Sequence, residues 1–115
     1  MPVPASKTVY QLASVEAERA AEHKRYLEFL RLPAMSSGLY VLEAGAEDQQ
    51  QPHAEDEIYY VLRGYGRMRV ASEDFAVLPG QLIFVPAKVE HRFHSIREQL
   101  ELLVVFAPAE SSLNS

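Results

Sequence analysis

Gly45-Ala-Glu-Asp-Gln-Gln-Gln51-Pro-His53-Ala-Glu-Asp-Glu57-Ile-Tyr-Tyr-Val-Leu-Arg-Gly64 is the stretch on which the fold turns. On an extended chain, residues an even number apart share a face, so Gln51, His53, Glu55, Glu57, Tyr59 and Val61 point one way. Imidazole, carboxylate and amide therefore converge. Ile58, Tyr60 and Leu62 occupy the other face, so beyond Glu57 both faces are apolar, as in a strand covered on both sides. A carboxylate buried there needs a partner. Left unpaired it would be costly or take up a proton, whereas a metal cation would satisfy it.

Outward from this stretch, Ser14 reads as the N-cap of a helix over Val15 to Arg25. Glu16 and Glu18 lie near its start and Lys24 and Arg25 near its end, complementing the helix dipole. After Pro33 the chain becomes short apolar runs broken by Gly, Pro and acidic clusters, the pattern of an antiparallel all-β domain. Eight strands are expected: Leu27 to Leu32, Leu39 to Ala44, Glu57 to Arg63, Arg67 to Ala71, Phe75 to Val77, Leu82 to Val85, His91 to Ile96 and Leu100 to Phe106. Closure into a jelly-roll barrel would protect so many edges. The expected organisation is an N-terminal strand and helix over 1–37, a barrel over 38–107 and a flexible tail over 108–115.

A chain of 115 residues fits one core. The net charge of −5 argues against a phosphate-backbone partner or an anionic membrane, which call for clustered Lys and Arg. With no cysteine, disulfides, thiolate nucleophiles and sulfur-ligated metal are excluded, so any metal must sit on nitrogen and oxygen. No signal-peptide pattern opens the chain and no apolar run reaches membrane-spanning length, so a cytoplasmic protein is expected.

The quoted stretch resembles the first cupin motif: glycine, five residues, His-x-His, three or four residues, Glu, six residues, glycine. The frame holds at every spacing, with Gln51 where the family usually has its first His. Gly80-Gln-Leu-Ile-Phe-Val-Pro86-Ala-Lys88-Val-Glu-His91-Arg-Phe-His94-Ser95 resembles the second motif, with Gly80, Pro86 and His91 in register. Lys88 replaces the usual Gly and Ser95 the usual Asn. The 15 residues between Gly64 and Gly80 suit a compact single-domain cupin of the conserved-barrel, RmlC-like jelly-roll type. The resemblance implies one divalent ion (Zn, Fe, Mn, Ni or Co) on His53, Glu57 and His91, with Gln51 as a ligand or as the holder of a metal-bound water. Beside it, Tyr59, Val61 and Phe93, with Met68 or Phe84, would line a pocket for a small organic molecule.

Plainer alternatives exist for each residue. His53 and His91 would otherwise be hydrogen-bonded barrel histidines, and Glu57 an exposed acid. Glu55 reads as a solvated acid at the barrel mouth, with proton transfer as its functional alternative. His94 falls on the opposite strand face and His23 is solvated near the helix end. Arg67 and Arg69 alternate with Met68 and Val70 and reach water. The family resemblance implies a metal-dependent oxygenase, isomerase or lyase; a non-catalytic ligand-binding or metal-binding module is the alternative. A metal-free barrel pairing His53 or His91 with Tyr59 as base and acid is disfavoured by Glu57. Exchange of a strand at Lys7 to Leu12 would make a homodimer.

Overall fold

The structure, a computed structural model, describes residues 7–111. One helix precedes six strands: α1 (Leu12–Ala21), β1 (Tyr26–Leu32), β2 (Met35–Leu42), β3 (Asp56–Val70), β4 (Glu73–Val77), β5 (Leu82–Val85) and β6 (His91–Ala107). Eight expected strands become six because two pairs fuse. Glu57 to Arg63 and Arg67 to Ala71 merge into β3, and His91 to Ile96 and Leu100 to Phe106 merge into β6.

Gly64 allows the first fusion. Its φ is 98°, and a Cβ there would overlap the Gln99 carbonyl, so only glycine lets β3 bend against β6 without ending. Register shifts between Val61 and Arg67 mark the bend. Each long strand then pairs twice. The first half of β3 lies between β5 and the end of β6, and its second half lies between β4 and the start of β6. All pairings are antiparallel, in the order β1-β2-β6-β3-β4 with β5 beside β3.

The two halves close on one core. Tyr59, Val61, Leu102 and Val104 from one half meet Met68, Val77 and Phe93 from the other. Each large apolar side chain so buried contributes roughly 1.5–3 kcal/mol. On the outer face of β3, Tyr60 remains 40% exposed, so that face is not covered along its whole length. Leu62 alone among the three expected outer residues reaches a second cluster, where α1 packs against β1 and β2 through Leu12, Val15, Leu27 and Leu39.

That packing moves the helix. It starts at Leu12 with Gln11 at the N-cap and no side-chain cap, so Ser14 lies inside the first turn, and it ends before Lys24 and Arg25. Docking Leu12 and Val15 on the sheet outweighs the local preference for a Ser cap. Arg19 pairs with Glu16 one turn earlier, at 2.8 Å. The stretch Lys7 to Gln11 is not a strand in this chain, and Leu12 belongs to the helix.

The described residues after β6 return to the sheet through hydrogen bonds. Ala109 N–H donates to the Pro33 carbonyl, Glu110 N–H to Ser36 Oγ, and the Arg31 guanidinium to the Glu110 carbonyl. Residues 112–115 of the expected tail lie outside the described residues. Among the described residues, no helix is long and apolar enough to cross a membrane.

Candidate metal centre

Glu57 is the second residue of β3 and His91 the first of β6, so both side chains enter the same end of the barrel. The turn before β6 is stitched to the segment carrying His53. Lys88 N–H donates to the His53 carbonyl at 2.6 Å, and Ala87 N–H to Asp56 Oδ1 at 2.9 Å. Lys88 holds a φ of 69°, the left-handed conformation that explains a glycine at this place in the motif.

One ligand atom from each of His53, Glu57 and His91 lies within 4.8 Å of the others. His91 Nε2 is 3.1 Å and His53 Nε2 4.0 Å from Glu57 Oε1. Glu57 and His91 are 2% and 5% exposed. His91 Nδ1 lies 2.9 Å from the Val89 carbonyl, an acceptor that places the ring proton on Nδ1 and turns the Nε2 lone pair toward Glu57. Glu57 Oε1 and His91 Nε2 are close, and both are buried without a hydrogen-bond partner. Two such groups side by side are expensive, at about 1–3 kcal/mol each.

A divalent cation satisfies both. Two imidazole nitrogens and a carboxylate oxygen form a donor set suited to Zn, Fe, Mn, Co or Ni. Burial lowers the His53 pKa, against the pull of the Glu57 carboxylate, which keeps a lone pair available. For His91, burial also disfavours charge, but the Glu57 carboxylate and the Val89 carbonyl outweigh it and raise the pKa.

Gln51 does not join this group: its side chain is exposed. The alternation that aimed it inward needs an extended strand, and β3 begins only at Asp56, so the pattern does not reach back to Gln51. Gln50 faces inward instead. Its Oε1 accepts from the Tyr59 hydroxyl at 3.2 Å and lies 3.3 Å from His53 Nε2. Gln50 is held by Asp48, a buried carboxylate that accepts from Gln50 Nε2, Phe93 N–H and the Tyr40 hydroxyl. Glu55 is not solvated either. It is 4% exposed and accepts from Ser111 N–H and Oγ–H.

Of the three ligands, Glu57 lines a cavity of about 510 Å³. Tyr59 lines it, whereas Val61 and Phe93 sit in the core behind, Phe93 packing edge-on against Tyr59 at 5.0 Å. Val61 precedes the bend in β3 and lies on the Tyr59 face, one step deeper in the core. Met68 is also core, and Phe84 is 54% exposed on the outside. The walls the sequence reading missed are Tyr26, Tyr40, Val104, Phe106 and Glu110. Gly38 makes room for one of them, because any Cβ there would overlap the Tyr26 ring. His94 points away as expected and meets Asp74 at 2.8 Å.

Fold and site together define a small jelly-roll barrel with a buried nitrogen and oxygen pocket that could hold one divalent ion. Residues 38–106 match the cupin domain model, and the chain belongs to the cupin family. It is 50% identical over 102 residues to an uncharacterised protein of Streptomyces coelicolor, covering 89% of this chain and 97% of that one. TT1209 of Thermus thermophilus superposes with a TM-score of 0.71 at 26% identity, over 90% of this chain and 99% of that one. A cupin 2 conserved barrel domain protein of Rhodopseudomonas palustris gives 0.67 at 24% identity, over 75% of this chain and 61% of that one, a likeness of fold.

Proposed function

We infer that this cupin binds one divalent ion through His53, Glu57 and His91 and holds a small oxygen-bearing organic molecule in the adjoining cavity. The observation that carries the reading is the pair of buried atoms, Glu57 Oε1 and His91 Nε2, 3.1 Å apart and each without a hydrogen bond. When bound, such an ion supplies Lewis-acid polarisation of a ligand oxygen or, as iron, oxygen chemistry, which makes the protein a metal-dependent isomerase, lyase or oxygenase.

The protein's own groups bind and orient. Glu57 balances charge. Asp48 fixes Gln50 and Tyr40 at the cavity wall. Burial, reinforced by neighbouring carboxylates, pushes the phenols of Tyr26, Tyr40 and Tyr59 well above their ordinary range, so they stay protonated. Tyr40 and Tyr59 give their protons to Asp48 and Gln50, which leaves the unpartnered Tyr26 hydroxyl to donate to a ligand oxygen. Val104 and Phe106 form an apolar wall. The same phenols favour a second reading, a module that binds its ligand without turnover, since protonated phenols give hydrogen bonds rather than take protons.

Metal content of tag-free, chelator-free protein tests the site by plasma mass spectrometry, against a folded His53→Ala/His91→Ala variant. Near-stoichiometric metal that disappears in the variant supports it. A protein that is empty and takes up no divalent ion on titration refutes it. Turnover against binding alone, over a panel of hydroxy and oxo acids, separates enzyme from module.

A further inference from the structure

His53 has two ring nitrogens and each faces a carboxylate. Nε2 lies 3.3 Å from Gln50 Oε1 and 4.0 Å from Glu57 Oε1, and Nδ1 lies 3.4 Å from Oε2 of Glu110. The Glu110 side chain is nearly enclosed and comes from the segment beyond β6, far along the chain from His53. We propose that Glu110 is a positioning residue of the metal centre: its carboxylate orients the His53 imidazole and holds the ring proton on Nδ1, presenting Nε2 to the ion. The inference rests on the metal-binding reading above.

The chemistry follows from the ring. A metal on Nε2 requires the proton on Nδ1, and an acceptor on that side fixes the tautomer and raises the basicity of the ligating nitrogen. His91 obtains the same service from the Val89 carbonyl at 2.9 Å. Both imidazoles are then oriented from behind, one by backbone and one by the returning segment.

Three bonds that anchor this segment are made without the Glu110 carboxylate. Backbone atoms hold it: Glu110 N–H to Ser36 Oγ at 2.9 Å, the Glu110 carbonyl to Arg31 at 2.6 Å and Ser111 N–H to Glu55 at 3.1 Å. Buried Glu55 thus acts as an anchor for the strap that carries Glu110. The side chain of Glu110 takes no part in those three bonds, so Glu110→Ala removes the carboxylate and keeps all three.

The test titrates Co(II) into the full-length chain, its Glu110→Ala and Glu110→Gln variants, with a competing chelator dye to report affinity. Nitrogen-15 spectra of histidine-labelled, Zn(II)-loaded protein read the His53 Nδ1–H directly. Glu110→Ala is expected to weaken Co(II) binding roughly 10–100-fold, the range for loss of a group behind a ligating histidine, and to lose the protected Nδ1–H signal. Glu110→Gln, which keeps an acceptor oxygen, is expected to recover part of both, and it decides the matter if the Ala variant does not fold. Parent and variants binding Co(II) within about fivefold of each other, with the Nδ1–H signal intact, overturn the role of Glu110. A parent that binds no Co(II) overturns the metal site itself, a distinguishable failure.

Discussion

Replacing Glu57 with Gln separates a metal ligand from a structural ion pair, because the two roles predict opposite results in metal-free protein. Glu57 is buried, and its Oε1 faces His91 Nε2 at 3.1 Å, neither atom having a hydrogen-bond partner. A neutral amide is cheaper to bury than a carboxylate, so with chelator present the variant should stay within about 1 kcal/mol of the parent. A structural pair would instead lose about 3–5 kcal/mol when broken. With Co(II) the order reverses. At free metal 100 times the parent's dissociation constant, binding stabilises the parent by about 2.7 kcal/mol; a variant that binds about 100-fold more weakly keeps only about 0.4 kcal/mol. At roughly 4 °C per kcal/mol for a domain of this size, the Co(II) shift in Tm should fall from about 10 °C to about 2 °C. Thermal melts with and without Co(II) read both quantities. A large loss of metal-free stability, or a Co(II) shift that survives the substitution, refutes the assignment.

Gly64→Ala is expected to cost about 3 kcal/mol in urea denaturation, combining left-handed backbone strain with overlap on the Gln99 carbonyl. Lys88→Gly, which relieves a φ of 69°, should raise the urea midpoint by the equivalent of about 1 kcal/mol without changing Co(II) affinity. Because Tyr26, Tyr40 and Tyr59 have folded pKa values above the ordinary value of 10.0, their contribution to stability is complete below that pH and is lost as pH rises beyond it. Tyrosinate absorbance should therefore report these three phenols only together with alkaline unfolding; their free titration in the native state would contradict the cavity as described.

His53, Glu57 and His91 were legible in the chain because their positions are set by local order. Glu57 and Tyr59 share a face of a strand, and His91 follows a turn whose Pro86 and Gly80 mark its entry. The all-β class was equally legible from short apolar runs between glycines, and the placing of His94 on the other face came from the same period. Where no period exists, the reading slipped. Gln51 was counted on an extended chain, but residues 51–55 precede β3, and Gln50 is the amide that turns inward on Asp48. The count of strands slipped for a related reason: Gly64 looks like a terminator in one dimension and is a bend in three, since only the approach of Gln99 shows why the residue must lack a side chain.

Tertiary structure alone decided the rest. Leu12 and Val15 could not announce that β1 and β2 would receive them and pull the helix start ahead of Ser14. Tyr26 and Tyr40 reach the cavity through the β1–β2 pairing, and Glu110 through a return of the chain across Ser36. These contacts join residues far apart in sequence, where the type of a residue carries no information about its neighbour. Spacing along one strand therefore specified which atoms could hold an ion, and long-range pairing specified what surrounds it, because strand periodicity is a property of the local backbone and a cavity wall is a property of the closed barrel.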